Sequence, residues 1–578
     1  MKVLSGMTVL LILLIPAALF YTFQKSIFYY QESNSLFIFS FQYLLKFLSK
    51  PGGVLEYFGL FLSQLYYNPF YGSLIFSGVI ALVARVFYRI SRQLSSEKSF
   101  SVIFFIIPWC LLMILQRRFD HLQAYNLGFL ATGLWFQLST RMDQKNKVFV
   151  PLMFPFLYYL AGSYCLLYVV MYFIYRIVYG EGSSKYMSLL MLVVSAIASF
   201  EFFKEIVFLQ PMNMLIFNPL DKYVSSALPY TFILLSCYAA FLPLITRIFS
   251  AKPGLISIKI RGAVVLILFF ISAFAVTRSV DPLMSDNVRI ERFVTAHEWN
   301  EVIRRHENSP SESITGQYYY NLALAETGQL CERMFSGRQD FGSGSLIPHS
   351  DPPDDNEMYF YYTIGLVNEA HQIAVESFVK NGYRPEVIKT LIRTDLIKSR
   401  FREAQRFIDL LKRTLFYKRW AIEYEHLLSD TTLISLHPEL GKTIRILPVN
   451  DFFIKPFDSL NLEAVIKFNP GNKAAFEYRM AGLLFEKKLQ SIVEVAERMK
   501  ENGYTYYPRY IEEAIAEERY VNNDNSDTAG IILNPSTSAR FRKYHNDYDS
   551  YRGDDFEVFQ NKMRDSWGDT YWFYFDFK

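Results

Sequence analysis

The residues best suited to chemistry in this sequence are charged side chains next to long apolar segments. Two acids, Glu32 and Asp120, are candidate catalytic bases, and Arg117, Arg118 and His121 are candidates for binding a phosphate. Guanidinium groups bind phosphate through paired hydrogen bonds, and a nearby carboxylate can accept a proton from an attacking hydroxyl. The two arginines equally fit a simpler role, which is to mark the end of a helix.

A second group of charges, Glu201, Lys204 and Glu205, lies inside an apolar stretch. The two glutamates are four residues apart and therefore share one helical face, where the lysine can neutralise one of them. Charged groups at membrane depth are costly and are functional candidates by default. An ion-pair lock between helices is the structural alternative for this intramembrane charge cluster.

The sharper catalytic motifs are missing. There is no His-Glu-x-x-His, Cys-x-x-Cys, Walker or dinucleotide pattern, so we expect no metal and no cofactor. The acidic run at 351–355 favours a solvated turn over a calcium site. No basic patch suggests nucleic acid, and the sequence leaves open whether the protein is an enzyme.

The elements that must position these charges belong to two different halves. Residues 1–280 are apolar and carry 22 Lys and Arg against 9 Asp and Glu, whereas residues 281–578 carry 37 against 46. The net charge of +4 therefore hides a basic half and an acidic half. This division predicts a membrane domain followed by a water-soluble domain.

Apolar stretches of about 20 residues can cross a bilayer as helices. Two shorter candidates, 100–116 and 122–139, flank the polar turn at 117–121. The N-terminal stretch at 3–23 fits a membrane anchor better than a cleaved signal peptide. The longer candidates are 3–23, 71–90, 186–209, 228–248 and 261–278.

Residues 148–180 form either one long tilted span or two short helices, divided near Pro155 or Gly162. Nine spans with the N-terminus inside put 14 Lys and Arg on the inner side and 8 on the outer side, whereas eight spans divide them 11 to 11. The positive-inside rule therefore favours about nine spans, with the C-terminal half outside the cytoplasm.

The first outer loop, residues 24–70, is too apolar to be a solvated loop. Its segments 34–48 and 54–67 are too short to cross the membrane and are rich in Phe and Tyr. We expect two helices at the membrane interface, hinged at Pro51-Gly52-Gly53.

The second half shows helical periodicity, with a repeat near 34 residues similar to that of tetratricopeptide repeats. Stacked helix pairs would form a solenoid with a concave surface for a protein partner, and helical hairpins without such a groove are the alternative. The expected parts are helical hairpins at 281–340, a loop at 341–356, helical repeats at 357–530, and C-terminal helices with an aromatic tail at 531–578.

The tail, residues 570–578, concentrates aromatic side chains where most chain ends are polar. It must be buried against something. Docking on the last helices of its own domain is favoured, and insertion at the membrane interface is the alternative.

Several runs resemble an uncharacterised Bacteroidota family in which many membrane spans precede tetratricopeptide-like helices. They are residues 51–59, 321–325, 328–330, 334–335 and 570–574. The resemblance implies an architecture and no activity, with the solenoid in the periplasm of a Gram-negative inner membrane.

The layout also resembles, more loosely, the GT-C superfamily of lipid-linked glycosyltransferases. In that superfamily an acid of the first outer loop assists the acceptor, and further acids lie in the turn after the third span. Glu32 and Asp120 are the matching positions. The chain departs from the pattern because neither loop contains a paired acidic motif such as Asp-x-Asp.

The sequence thus predicts an all-α protein, a polytopic transmembrane bundle followed by a soluble solenoid domain. The leading hypothesis is an inner-membrane scaffold whose partners are the bilayer and a protein bound on the solenoid. The alternative is a glycosyltransferase that uses a polyprenyl-phosphate-linked sugar as its lipid-linked substrate.

Overall fold

The computed structural model describes residues 2–95, 101–142, 149–220, 228–251, 258–347, 355–449, 460–499, 504–522 and 531–578. Within these ranges the regular elements are helices and no strand occurs. The chain forms two compact units, Met1–Asp281 with Arg413–Phe416, and Pro282–Lys412 with Tyr417–Lys578. Most of the acidic run considered for calcium, and residues 500–503 at the end of one predicted repeat, lie outside the described residues.

The helices of the first unit follow the apolar segments of the sequence. They are α1 (Lys2–Phe23), α2 (Lys25–Ser33), α3 (Phe41–Leu48), α4 (Gly53–Ser63), α5 (Pro69–Leu94), α6 (Ser101–Leu115), α7 (Gln123–Arg141), α8 (Phe154–Ala161), α9 (Tyr164–Tyr179), α10 (Ser184–Phe202), α11 (Met212–Phe217), α12 (Tyr230–Ala251) and α13 (Ile258–Thr277).

Four helical stretches among the described residues are long and apolar enough to cross a membrane, namely Pro69–Leu94, Ser184–Phe208, Tyr230–Ser250 and Lys259–Thr277. A fifth is obtained if α1 and α2, which meet at an angle of 79°, count as one broken span. These correspond to the five longer stretches expected from the sequence. The remaining apolar helices are shorter, so the count of nine spans stays a prediction.

Helix α5 shows how the sequence builds this unit. The side chain of Asn68 caps its first turn by accepting from the Phe70 amide at 3.0 Å, and Pro69 fits the first helical position because it needs no amide partner there. Its buried face repeats at helical spacing and packs against α1, α6 and α7. That face includes Phe76, Ile80, Val83 and Phe87.

The bend between α1 and α2 is hydrogen-bonded to the end of α13, the last helix of the unit. Gln24, buried at the bend, donates through Nε2 to the carbonyl oxygens of Val276 at 2.7 Å and Arg278 at 3.1 Å. The bend therefore satisfies backbone acceptors at the end of α13. It also turns α2, which carries Glu32, away from the direction of α1.

The Pro-Gly-Gly hinge expected between the two loop helices lies between α3 and α4 and packs against a second break. The long segment 148–180 divides at Gly162 into α8 and α9, as in the two-helix interpretation. Gly52 and Gly162 both have positive φ, and a Cβ on Gly52 would lie 2.9 Å from Pro219. Glycine is required because three backbone segments meet at this point.

The described residues of the second unit form a series of helices. They are α14 (Pro282–Thr295), α15 (Trp299–Asn308), α16 (Ile314–Glu326), α17 (Leu330–Arg333), α18 (Glu357–Thr363), α19 (Val367–Asn381), α20 (Pro385–Ile397), α21 (Phe401–Lys412), α22 (Lys418–Ser429), α23 (Thr432–Leu436), α24 (Pro438–Arg445), α25 (Leu460–Phe468), α26 (Lys473–Phe485), α27 (Leu489–Glu497), α28 (Arg509–Val521), α29 (Pro535–Tyr551), α30 (Phe556–Trp567) and α31 (Tyr571–Phe577).

Consecutive helices of this unit mostly pack on one another, and apolar residues that recur at helical spacing along them are buried. They are Ile388, Leu391, Ile392, Ala404, Ile408, Leu411, Phe476, Met480, Ile492, Ala496 and Met499. Helix α17 also packs against α26 and α28, far along the chain. In a simple solenoid each repeat contacts only its neighbours, so the tetratricopeptide-like assignment remains a prediction.

The aromatic tail docks on the last helices of its own unit, as expected. Tyr571, Trp572 and Phe573 are buried, and α31 packs against α28 and α30. The amide of Tyr571 donates to the carboxylate of Glu513 at 2.7 Å. Burial of this aromatic surface against its own helices stabilises the end of the unit.

Candidate functional site

The turn between α6 and α7 carries three of the predicted charges on its surface. Arg118 holds Asp120 in a two-point ion pair, with Nε and Nη2 at 2.9 and 2.7 Å from the two carboxylate oxygens. Their side chains are 34% and 39% exposed, so an incoming group can reach both. The pair joins a phosphate-binding group and a carboxylate in one place.

The neighbouring Arg117 uses only part of its guanidinium group for hydrogen bonding. Its Nε donates to the backbone carbonyl of Arg278 at 3.2 Å. This leaves its terminal NH₂ groups able to contact another acceptor on the same surface. The turn thus offers two guanidinium groups from adjacent residues.

Helix α2, which carries Glu32, docks directly on this turn. Gln31 donates through Nε2 to the carbonyl oxygens of His121 at 2.9 Å and Phe119 at 3.3 Å, and the rings of Tyr30 and Phe119 are 5.2 Å apart. Glu32 is the next residue and is half-buried. The structure therefore brings the helix of Glu32 to the turn of Asp120, although the two acids come from distant parts of the sequence.

His121 points inward and not toward the exposed arginines. It is fully buried, and its Nε2 lies 2.8 Å from the Asn126 side-chain oxygen. Burial lowers the pKa of His121 to about 4, so the ring is neutral at physiological pH. His121 therefore lies on the buried side of the turn, whereas Arg117 and Arg118 lie on its half-exposed side.

Beneath the turn lies a buried network of amides that the sequence reasoning missed. Asn126 donates to Gln116 at 3.0 Å and to Gln123 at 3.1 Å, and the Tyr66 hydroxyl donates to Gln123 at 3.1 Å. These side chains are buried in an otherwise apolar core. Such a network fixes the geometry of the turn, because each lost partner would leave a buried polar group unpaired. Uncharged residues in apolar segments gave no signal beyond their helical spacing.

The intramembrane charge cluster lies elsewhere in the first unit. Lys204 forms ion pairs with Glu205 at 2.6 Å and Glu201 at 3.9 Å, and the two glutamates are 63% and 58% exposed. Helix α10 packs mainly against α8 and α9. The described contacts therefore do not join this cluster to the turn that carries Asp120.

The second unit holds a polar site that the sequence reasoning also missed. The guanidinium of Arg393, almost fully buried, lies 2.7 Å from the Glu439 carboxylate and 3.1 Å from His297. A cavity of about 40 Å³ adjoins it, enough for one or two water molecules. The opposed charges balance inside the unit, which makes this a structural ion-pair cluster.

The chemistry available at the α6–α7 turn is anion binding beside a carboxylate. Among the described residues no group of three His, Cys, Asp or Glu side chains is placed to hold a metal ion. Arg117 and Arg118 can hold a phosphate, and the half-exposed carboxylate of Asp120 can accept a proton once it is released from Arg118.

A model of a family of unknown function, DUF6057, matches residues 1–578. No curated protein and no solved structure matches the chain.

Proposed function

Because the chain belongs to the DUF6057 family of unknown function, which assigns no activity, we propose a function from the molecule itself. The protein is a multi-pass component of a bacterial inner membrane that displays a helical protein-interaction domain in the periplasm. It acts as a scaffold of an envelope process, with the bilayer and at least one protein as partners.

One observation carries this proposal. The described helices that are long and apolar enough to cross a membrane all precede Pro282, where the second compact unit begins. The second unit is a series of short amphipathic helices with apolar side chains left on its surface, such as Val379 at 78% and Leu436 at 76% exposure. A protein partner can bury apolar side chains of this kind at the centre of an interface.

The orientation is tested with a reporter fused after Lys578 that is active only in the periplasm, and with a second reporter active only in the cytoplasm. The proposal expects the periplasmic reporter to work. A chain truncated and fused after Ser95 is the internal control, because the positive-inside rule puts that loop in the cytoplasm. Cytoplasmic activity at Lys578 would reject the periplasmic domain and favour eight spans.

The scaffold role is tested by placing a photo-crosslinking amino acid at Val379 or Leu436 in living cells. A scaffold predicts a crosslink to one reproducible protein from at least one of these positions. The same amino acid at Glu497, an exposed polar position of α27, is the control. Absence of crosslinks at both apolar positions, in protein that is correctly inserted, would argue against these surfaces as the binding face.

A second candidate function is supported by the ion pair of Arg118 with Asp120 beside α2. In this alternative the protein transfers a sugar from a polyprenyl phosphate, as GT-C enzymes do. Glu32 or Asp120 is the base, and Arg117 and Arg118 bind the phosphate.

The transferase is tested by measuring sugar transfer from labelled polyprenyl-phosphate sugars in membranes that contain the protein. Asp120→Asn or Glu32→Gln should abolish the product at an unchanged protein level. Glu181→Gln, an exposed acid in the loop before α10, is the matched control and should keep full activity. Equal product from all variants would remove the transferase hypothesis.

A further inference from the structure

Arg176 is a buried cation with a single long hydrogen bond and no counterion among the described residues. It lies in the last turn of α9 and is 1% exposed. Its Nη2 donates one long hydrogen bond to Ser184 Oγ at 3.4 Å, and its Nε has no hydrogen-bond partner. In the described parts of the chain no carboxylate lies within ion-pair distance of this guanidinium. A buried charge without a counterion is strongly unfavourable, so the site calls for an anion from outside the described chain.

The groups around Arg176 are neutral hydroxyls. The Ser184 hydroxyl donates to the carbonyl of Glu181 at 3.0 Å, and its oxygen accepts from the arginine. The hydroxyl proton can rotate away from that carbonyl and donate to a bound oxyanion. Ser188 is buried one turn further along α10, and Tyr172 lies one turn before Arg176 on α9. Hydroxyls complete the coordination of an oxyanion but cannot neutralise a guanidinium.

Helix α10 adds a second and independent feature that favours an anion. It begins at Ser184, it has no acidic residue in its first turn, and the side chain of Ser183 does not cap it. The first amides of a 19-residue helix therefore lack side-chain partners at the positive end of the helix dipole. Backbone amides of this kind bind phosphate groups in many proteins.

We infer that Arg176, Ser184 and the first turn of α10 form a binding site for a phosphate anion. The anion is either the phosphate of an acidic phospholipid headgroup or free inorganic phosphate. The lipid source rests on the proposed membrane location, whereas the phosphate chemistry does not. Ser184 and Lys185 are half-exposed, so the site opens toward solvent at the start of α10.

A lipid can reach this site from the side. Only 22% of the most apolar window of the Ser184–Phe208 helix is buried inside the protein. Its outer face therefore provides an apolar surface for acyl chains next to a phosphate-binding end.

The test measures thermal unfolding of the purified full chain in a zwitterionic detergent. Phosphatidylglycerol, phosphatidylcholine and inorganic phosphate are added separately, the last against chloride at equal ionic strength. Phosphatidylglycerol or phosphate should raise the melting temperature by about 3 °C or more, and phosphatidylcholine should not. A response to phosphatidylglycerol alone identifies the lipid, and an equal response to phosphate identifies a soluble anion.

Arg176→Gln should abolish the response. Arg247→Gln is the matched control, because Arg247 is an exposed arginine over the ring of Tyr179 near the same end of the unit, and it should keep the response. A response of equal size in wild type and Arg176→Gln would overturn the inference, and so would no response to either anion in wild type.

Ser184→Asp keeps the inference testable if Arg176→Gln does not fold. It places a carboxylate beside the guanidinium and so supplies the missing anion from within the chain. The variant should melt at a higher temperature than wild type without any addition, and it should no longer respond to phosphatidylglycerol or phosphate. Ser184→Asn is the neutral control and should not raise the melting temperature. If Ser184→Asp raised the melting temperature no more than Ser184→Asn, the inference would be overturned. This outcome is independent of the topology reporters, which test the proposed function.

Discussion

The indole Nε1 of Trp572 donates a 2.8 Å hydrogen bond to the backbone carbonyl of Glu513. This bond joins the last helix of the chain to the core of the second unit. The ring is fully buried among aromatic side chains from α29, α30 and α31. An aromatic terminal segment has therefore become part of the hydrophobic core.

Substitution of Trp572 should destabilise the second unit in two steps. Trp572→Phe keeps most of the ring but loses the hydrogen bond, which should cost about 1–3 kcal/mol. Trp572→Ala adds a cavity and should cost about 3–5 kcal/mol. Phe556→Ala is the control, since that ring is 67% exposed, and it should change stability little. Unfolding of the full chain by heat or denaturant measures the three values. Equal values for Phe556→Ala and Trp572→Ala would contradict the docking.

The stability of the second unit should fall when the pH drops below about 6.5, in part because of His306. This ring is buried against Tyr320, its Nε2 lies 3.2 Å from the Arg338 carbonyl, and its Nδ1 accepts from the Ser311 amide. Burial lowers the pKa of His306 in the folded state. Below about pH 6.5 His306 is therefore protonated more readily in the unfolded chain than in the folded chain, so protonation favours unfolding.

The check is the pH dependence of unfolding between pH 8 and 5 in wild type and His306→Gln. The variant should be less stable at pH 8 but lose less stability toward pH 5, by up to about 1.4 kcal/mol per pH unit. His426→Gln, which removes an exposed histidine from α22, is the control variant. An unchanged slope in His306→Gln would show that this ring does not carry the effect.

Glu517 should have the opposite pH dependence. Burial, and secondly the charge of Asp576, raise the pKa of Glu517 to about 8. A raised pKa in the folded state means that the unfolded chain releases the proton first, so the contribution of this residue declines as the pH rises from about 4.5 to 8. Its buried Oε2 has no hydrogen-bond partner in the described structure, and Nε2 of His545 lies 3.9 Å away.

Glu517→Gln should therefore raise the melting temperature at pH 8 and change it little at pH 5. Glu518→Gln changes a half-buried acid of the same helix whose contact with the Asn522 amide a glutamine oxygen can keep, so it should have little effect at either pH. The two variants are compared by thermal unfolding at both pH values. Destabilisation by Glu517→Gln at pH 8 would mean that the ionised carboxylate is needed there.

Local patterns in the sequence predict much of this architecture. The apolar stretch at 71–90 appears as Pro69–Leu94, and the Pro-Gly-Gly run lies between two short helices. Both features depend on neighbours in the chain, namely a continuous apolar segment and a residue that tolerates positive φ. For the same reason the helical spacing of apolar residues such as Phe476 and Ile492 indicates a buried face, and both are buried.

The sites were harder to predict because they depend on contacts between distant segments. Gln31 and Gln123 are ordinary amides in the sequence, and only the folded chain shows that both help to hold the α6–α7 turn. In the sequence Arg176 is one of the basic residues assigned to the inner side of the membrane. Its burial results from the packing of α9 against α10, which the sequence does not show. The charges of Glu32 and Asp120 can be read from the sequence, whereas the placement of the Glu32 helix depends on the bend at Gln24.

Close packing in the first unit gives a prediction with a matched control. Helices α7 and α9 meet at Gly128, where an added Cβ would lie 2.3 Å from a ring carbon of Tyr164. The fully buried Tyr164 ring cannot yield without disturbing Phe129 and Phe232, which pack against it. Gly128→Ala should therefore destabilise this unit by about 1–3 kcal/mol through overpacking.

Gly78 provides the comparison, because a Cβ there would meet no atom within 4 Å. It lies inside α5, so Gly78→Ala should be neutral or stabilise the helix by up to about 1 kcal/mol. Thermal stability of the two purified variants in the same detergent measures the difference. If Gly128→Ala were as stable as Gly78→Ala, α7 and α9 would have to lie further apart than their packing at Gly128 implies.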